Sequence, residues 1–379
     1  MGFCIRLAPI ESISPSLSET MRMCLLRGGL SRSRDLSTFI LGNPKAWLGN
    51  AYHEVLEILS RTHLPEDVFL SNLNVYWHDA VKKQHDRMKR HPLDQRFGNP
   101  PTWPGYNLVL ASLRARAQNL REEYLMHGEH SVEHKAVEGV LFEREFRSFA
   151  GRLVGRPDVV IGKEIRDYKT GGVFETSDDL PDCEVKESYA RQLYIYGYLV
   201  KEVFGVWPER GVLLPMSGGR AEIMLDPDSC TREAEEAVAL LDTYNTAIHT
   251  KSAEHLASAS VDSCKWCQFK ILCPAFWNTA NASWSGMLDG DAVECNIVEE
   301  PRRIHGGEAF SVSMGILRGS QAPRQIDLTP LSSSTHQFLA TVGKDDRVRI
   351  MGLRVRTDGI LIPTIRTLGA KIDDLPVLA

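Results

Sequence analysis

The stretch IGKEIRDYKTG, residues 161–171, decides the reading of this chain. A short run leads into Asp167 and Lys169, two apart, and stops at a glycine pair. In an extended strand, residues two apart point to the same face. A carboxylate and an ammonium therefore share one face at a strand end. Such a pair is either a surface ion pair or two parts of a metal-assisted active site, and the surrounding sequence decides between them.

Immediately upstream, RLVGRPDVVIG places Asp158 nine residues before Asp167, with Gly162 between. Two strands joined by a tight turn there would bring both aspartates together. Hard divalent ions such as Mg²⁺ take oxygen ligands and use only one or two protein carboxylates. Lys169, on the same face, could stabilise charge on a phosphoryl oxygen or orient the attacking water. The chemistry implied is metal-assisted hydrolysis of a phosphodiester. Downstream, VKESYARQLYIYGYLVKEVFG reads as a helix over 185–205. Gln192 and Tyr196, four apart, lie on one face of it and could hydrogen-bond phosphates or brace the catalytic strand. On an earlier helix, residues 46–60, His53 lies opposite the apolar stripe of Tyr52, Val55, Leu56 and Leu59. It follows Gly49 by four residues. By themselves these side chains also read as ordinary helix surface and core.

The joint pattern resembles the PD-(D/E)XK nuclease superfamily, within its RecB-like group. Gly49 and His53 match Gly-x-x-x-His, Gly155 and Asp158 match Gly-x-x-Asp, Asp167 and Lys169 match Asp-x-Lys, and Gln192 and Tyr196 match Gln-x-x-x-Tyr. The resemblance covers about residues 12–276. It implies that His53, Asp158 and Asp167 ligate Mg²⁺ or Mn²⁺ with help from the backbone carbonyl of Tyr168, and that Glu145, with Glu143 in reserve, is the acid of the preceding strand. The implied substrate is DNA, and exonuclease action on single-stranded or frayed ends is expected. DNA repair and antiviral defence both use this chemistry. Two other readings stay open: a nucleic-acid-binding subunit that serves a helicase or another partner, and a zinc-stapled RNA nuclease. No G-x-x-x-x-G-K-[ST] phosphate-binding loop occurs, so unwinding would come from a partner.

A second constellation lies in DSCKWCQFKILC, where Cys264, Cys267 and Cys273 have C-x₂-C-x₅-C spacing. A tetrahedral site needs a fourth ligand. The iron–sulfur members of the RecB-like group place one cysteine near the start of the domain and three near its end. By that resemblance Cys24 is the fourth, with Cys4 in reserve, and the group held is a [4Fe–4S] cluster. Zinc on the same thiolates is the alternative. Cys183, Cys230 and Cys295 read as ordinary thiols.

The 379 residues, 43% of them hydrophobic, suffice for two or three domains. The net charge of −5 leaves room for a local basic channel but not for a uniformly cationic surface. Arg22, Arg27, Arg32 and Arg34 near the first helix, Arg152 and Arg156 beside the catalytic strand, and Arg347, Arg349, Arg354 and Arg356 in the tail could track a phosphate backbone. Trp266 and Phe269 could stack on bases or pack on the cluster. No apolar run reaches the length of about 18 residues that a membrane span needs. The opening MGFCIRLAPIESISPS lacks a signal-peptide core, and Arg6 breaks a myristoylation signal. A cytoplasmic protein in a reducing compartment is expected.

The fold expected is α/β: a central mixed sheet flanked by helices over 1–283, with a helical insertion at about 62–130. A small all-β domain of OB type over 294–379 completes it. The first helix is expected over 14–30, with Ser16 and Glu19 as a capping box and Gly28-Gly29 as its stop. The tail is expected to form strands over 309–319, 336–343, 346–357 and 361–372.

Overall fold

A computed structural model describes residues 4–33, 36, 39–61, 66–129, 140–175 and 184–378. Cys183 and Arg34 lie outside these residues. The first half is β1 (Cys4–Ile5), α1 (Pro15–Met23), α2 (Leu25–Leu30), α3 (Pro44–Arg61), α4 (Glu66–Lys89) and α5 (Tyr106–Glu129). Then come β2 (Val140–Phe142), β3 (Phe146–Ser148), β4 (Leu153–Gly155), β5 (Val159–Ile161), β6 (Glu164–Lys169), α6 (Glu187–Phe204), β7 (Arg210–Pro215), β8 (Ala221–Met224) and α7 (Pro227–Thr250). The cysteine segment contributes α8 (Val261–Lys265) and α9 (Pro274–Thr279). The remainder is β9 (Asp291–Ile297), β10 (Arg302–Ile304), β11 (Ala309–Gly319), β12 (Gln325–Ser332), β13 (Arg347–Val355), β14 (Leu361–Ile362), β15 (Leu368–Lys371) and β16 (Val377–Leu378).

The central sheet has the order β2-β5-β6-β7-β8. The β6–β7 pair is parallel and the other pairs are antiparallel. Its two faces bury different helices, as strand alternation requires. Val160, Ile165 and Leu213 pack with α1, α6 and α7. Their neighbours Val159, Tyr168, Val212 and Leu214 pack with α3, α4 and α5. Asp167 and Lys169 have the parity of Ile165, so they point toward α6. The insertion, with α4 and α5, therefore completes the second helical layer that α3 begins.

The first helix differs from expectation. It breaks at Cys24, whose backbone is extended, and continues as α2 with the Cys24 sulfur as its N-cap. The cap of α1 is Ser14, not Ser16. Glu19 cannot close a capping box because Arg191 grips both its carboxylate oxygens at 2.7 Å. Gly28 and Gly29 do not stop a helix. They lie inside α2, where a Cβ on Gly29 would stand 2.5 Å from the Tyr244 hydroxyl of α7 and one on Gly28 would meet Met21 Cγ of α1, so they admit close packing of both helices.

The tail is a curled antiparallel sheet of order β10-β11-β9-β13-β14, with β12 on β11 and β15 on β13. This pairing does not establish the OB connectivity. Residues 336–343, expected as a strand, form a 3₁₀ turn at Gln337–Ala340. Strands β9, β10, β12 and β16 were not anticipated. The segment of β9 reads as polar and broken because it is central and buried on both faces, and so does not alternate. Its polar residues are satisfied inside. Asp291 accepts from Gly286 N–H and Gln321 Nε2. Glu294, with no solvent exposure, is held by Arg318, Arg347 and Arg349.

This sheet is joined to the rest of the fold. Arg349 also donates to the Ile271 carbonyl at 2.9 Å and lies 5.0 Å from the Trp277 ring centroid. Ala292, Leu368 and Leu375 share a core with α2 and the cysteine segment. β1 pairs in parallel with β16.

Burial acts to raise the Glu294 pKa, but hydrogen bonds from Arg318 and Arg349 outweigh it and hold the carboxyl below its ordinary range. A folded value below the unfolded one contributes stability in full above the unfolded pKa of about 4.3, and that contribution is lost as pH falls through the folded value. E294Q is expected to destabilise the protein near neutral pH by about 2 kcal/mol, less than a fully buried pair because Arg318 and Arg347 remain partly in solvent. Urea denaturation at neutral and acid pH checks this: the gap between wild type and variant should narrow as pH falls below about 4.

Candidate active site

The turn between β5 and β6 is tight, with Gly162 at φ +56°. It brings Asp158, just before β5, beside the end of β6. Asp158 is buried and accepts the backbone N–H of Tyr168 at 2.5 Å. Its other oxygen lies 3.2 Å from His53 Nδ1. His53 reaches that position because Gly49, one turn earlier on α3, lets the helix approach β6. A Cβ on Gly49 would stand 3.3 Å from Thr170 Oγ1. Gly155 has the same function on the other side, where a Cβ would lie 2.5 Å from Leu199 Cδ1 of α6. The glycines in both sequence motifs are therefore points of close helix approach.

Asp167 and Lys169 meet at 2.6 Å. Lys169 donates to Gln192 Oε1 at 2.6 Å and sits 4.5 Å from the centre of the Tyr189 ring. Gln192 Nε2 donates to Asp167 Oδ1 at 3.2 Å and is 3.0 Å from the Tyr196 hydroxyl. That hydroxyl donates to the Arg156 carbonyl at 3.3 Å. Gln192 and Tyr196 thus brace the ends of both strands.

Of the two acids considered for the preceding strand, Glu143 rather than Glu145 is the one placed toward the site. Glu145 points outward, with its side chain 53% exposed, and pairs with Arg147. Glu143 faces the site instead, 15% exposed and held by Arg156 Nε at 2.9 Å. Both glutamates have the same strand parity, so alternation could not separate them. The backbone at Glu143 turns to φ +45°, an uncommon conformation for a non-glycine residue that breaks the strand there. Among the described residues, the one set of three His, Cys, Asp or Glu donor atoms mutually within 4.8 Å is His53, Glu143 and Asp158. Asp167, expected in that set, stands beside it.

The acids press on one another. Burial, and then the Asp158 carboxylate, push Glu143 up to about 8. The same two causes push Asp167 up to about 6. Burial also works against Asp158, yet hydrogen bonds from His53 and the Tyr168 N–H keep it ionised and low. Three carboxyls this close disfavour one another's charged forms, and a bound cation would favour them. Asp167 Oδ2 is buried against the Lys169 ammonium. The oxygen-rich set of Glu143 and Asp158 with one imidazole, His53, fits a hard divalent ion.

The sequence profile of the PD-(D/E)XK nuclease superfamily matches residues 12–274. The chain belongs to this superfamily. Comparison with curated proteins returns no match. Membership implies a divalent-metal-dependent nuclease that hydrolyses phosphodiesters in nucleic acid. The matched span covers the central sheet and both helical layers and ends within the cysteine segment.

In this nuclease Cys24, Cys264, Cys267 and Cys273 line one cavity. Cys4, the reserve ligand, is exposed on β1. No three of the four sulfurs lie mutually within 4.8 Å. Cys24 Sγ accepts the N–H groups of Arg27 and Ser258, and Cys273 Sγ accepts that of Phe276. Cys230 and Cys295 are buried thiols away from this cavity. Phe269 is buried beside the cysteines, whereas Trp266 is 60% exposed.

Several arginines expected on phosphates are already engaged. Arg22 pairs with Glu233 and Glu236, Arg152 with Asp242, Arg156 with Glu57 and Glu143, and Arg356 with Asp358. Arg347 and Arg349 hold Glu294. No helix of the described residues is long and apolar enough to cross a membrane.

E143Q should weaken Mn²⁺ binding about tenfold or more, as loss of a ligand or its close neighbour does, while E145Q should leave it unchanged. Calorimetric titration of Mn²⁺ into each variant checks this, and equal affinities for both would reverse the assignment.

Proposed function

We propose that the protein is a Mg²⁺- or Mn²⁺-dependent deoxyribonuclease of RecB-like type that degrades DNA from single-stranded or frayed ends, with a structural [4Fe–4S] cluster on Cys24, Cys264, Cys267 and Cys273. The observation that carries the nuclease reading is the meeting of His53, Glu143 and Asp158 with Asp167, Lys169 and Gln192 at one end of β6.

In this reading His53, Asp158, Asp167 and Glu143 hold the divalent ion, with the Tyr168 carbonyl at the same strand end. The bound ion supplies positive charge to the scissile phosphate and acidifies water. Lys169 faces the space in front of Asp167 and neutralises charge growing on a phosphate oxygen. Gln192 fixes the ammonium so that little reorganisation is needed when the phosphate arrives. Tyr196 ties Gln192 to the β4–β5 connection.

Iron is favoured over zinc by the likeness of the cysteine arrangement, one near the start of the domain and three near its end, to the iron–sulfur members of the RecB-like group, and the four thiols line one cavity. The division into a nuclease unit over 1–283 and a β-rich unit over 294–379 is part of this proposal, and β9, which starts at Asp291, runs across the start of the second unit.

D167A should abolish cleavage, and K169A should lower it by about 10²- to 10³-fold. Both should still bind DNA. Digestion of end-labelled single and double strands, with each end blocked in turn, reads cleavage and polarity together. Cutting by D167A at the wild-type rate would remove the site assignment. EDTA should stop the wild type, and Mg²⁺ or Mn²⁺ should restore it.

A further inference from the structure

The cavity lined by the four cysteines has an uneven charge. Two cations, Arg27 and Lys270, share its wall, and no carboxylate does. Lys270 is the unusual one. It is 2% exposed, and lysines are almost never buried without a pairing anion. Its ammonium donates to the carbonyls of Cys264 at 3.2 Å and Lys265 at 3.3 Å. Asp289, the carboxylate it feels most, makes no hydrogen bond to it. Carbonyl dipoles satisfy donors, but they do not cancel a charge. A buried charge left without its opposite is costly by several kcal/mol.

The missing negative charge belongs in front of it. Metal-bound cysteines are thiolates, and four of them outweigh the positive charge of the iron and sulfide they hold. The N–H groups directed at Cys24 and Cys273 sulfurs are suited to the same negative guest.

We propose that Lys270 is the internal counter-ion of the cysteine-bound cluster, a fixed positive charge that retains the cluster and eases its reduction. This rests on the cluster reading given above. One-electron reduction by dithionite adds one negative charge to the cluster, and a neighbouring cation favours that state. Net charge and hydrogen bonding around the sulfurs are the levers that set such potentials.

The test uses the full chain purified without oxygen, as wild type, K270M and K270R. Iron and acid-labile sulfide are measured first, then the midpoint potential by dithionite titration with mediators, then iron release to a chelator. K270M should have a lower midpoint potential and release iron about 10- to 100-fold faster, and K270R should restore both. Failure of K270M to load a cluster that K270R does load would support the same conclusion. K270M with wild-type potential and release would overturn the proposal. So would K270R behaving like K270M, since packing rather than charge would then be at stake. Absence of iron and sulfide from the wild type would instead overturn the cluster reading, before any variant is compared.

Discussion

The site depends on one buried carboxylate. Asp158 sits out of water at the start of β5, a position that ordinarily favours the neutral acid. It is kept charged by the Tyr168 N–H from the neighbouring strand and by His53 from a helix that reaches it only over Gly49. That arrangement ties β5, β6 and α3 at a single point. The Asp158 charge also adds to the burial that raises Glu143 and Asp167. A divalent cation held there would relieve the electrostatic strain among the acids.

Much of this was legible in the sequence, for identifiable reasons. The alternation in IGKEIRDYKTG puts Asp167 and Lys169 on one face, and the sheet does so, toward α6. Gln192 and Tyr196 share a helix face by their spacing, and they act as a pair. Glu143 and Glu145 could not be told apart, because they share strand parity and only a left-handed backbone at Glu143 separates them. The break at Cys24 was hidden for a similar reason. Apolar periodicity runs through it, while the sulfur itself ends one helix and begins the next. β9 was missed because burying Asp291 and Glu294 removes the polar–apolar alternation that marks a half-exposed strand. Several arginines that seemed free for phosphates are engaged by acids, and all of these but Arg356 reach an acid far away in sequence.

The cysteine segment lies between the two halves of the molecule. On one side it packs against α2; on the other, Arg349 joins it to β13 and to buried Glu294. A polar clamp and an apolar core therefore meet at the cavity that the four sulfurs line. Disturbance at either would be transmitted to the other through residues 264–277.

The pairing of β1 with β16 has a consequence for folding. Ile5 belongs to the same core as Leu26, Leu368 and Leu375, and its strand partner is Leu378. The catalytic sheet closes shorter loops, since its strands lie nearer one another in sequence. Contacts of large sequence separation form slowly, because loop closure costs entropy before the contacts return it. The core around the sulfurs therefore consolidates after the catalytic sheet.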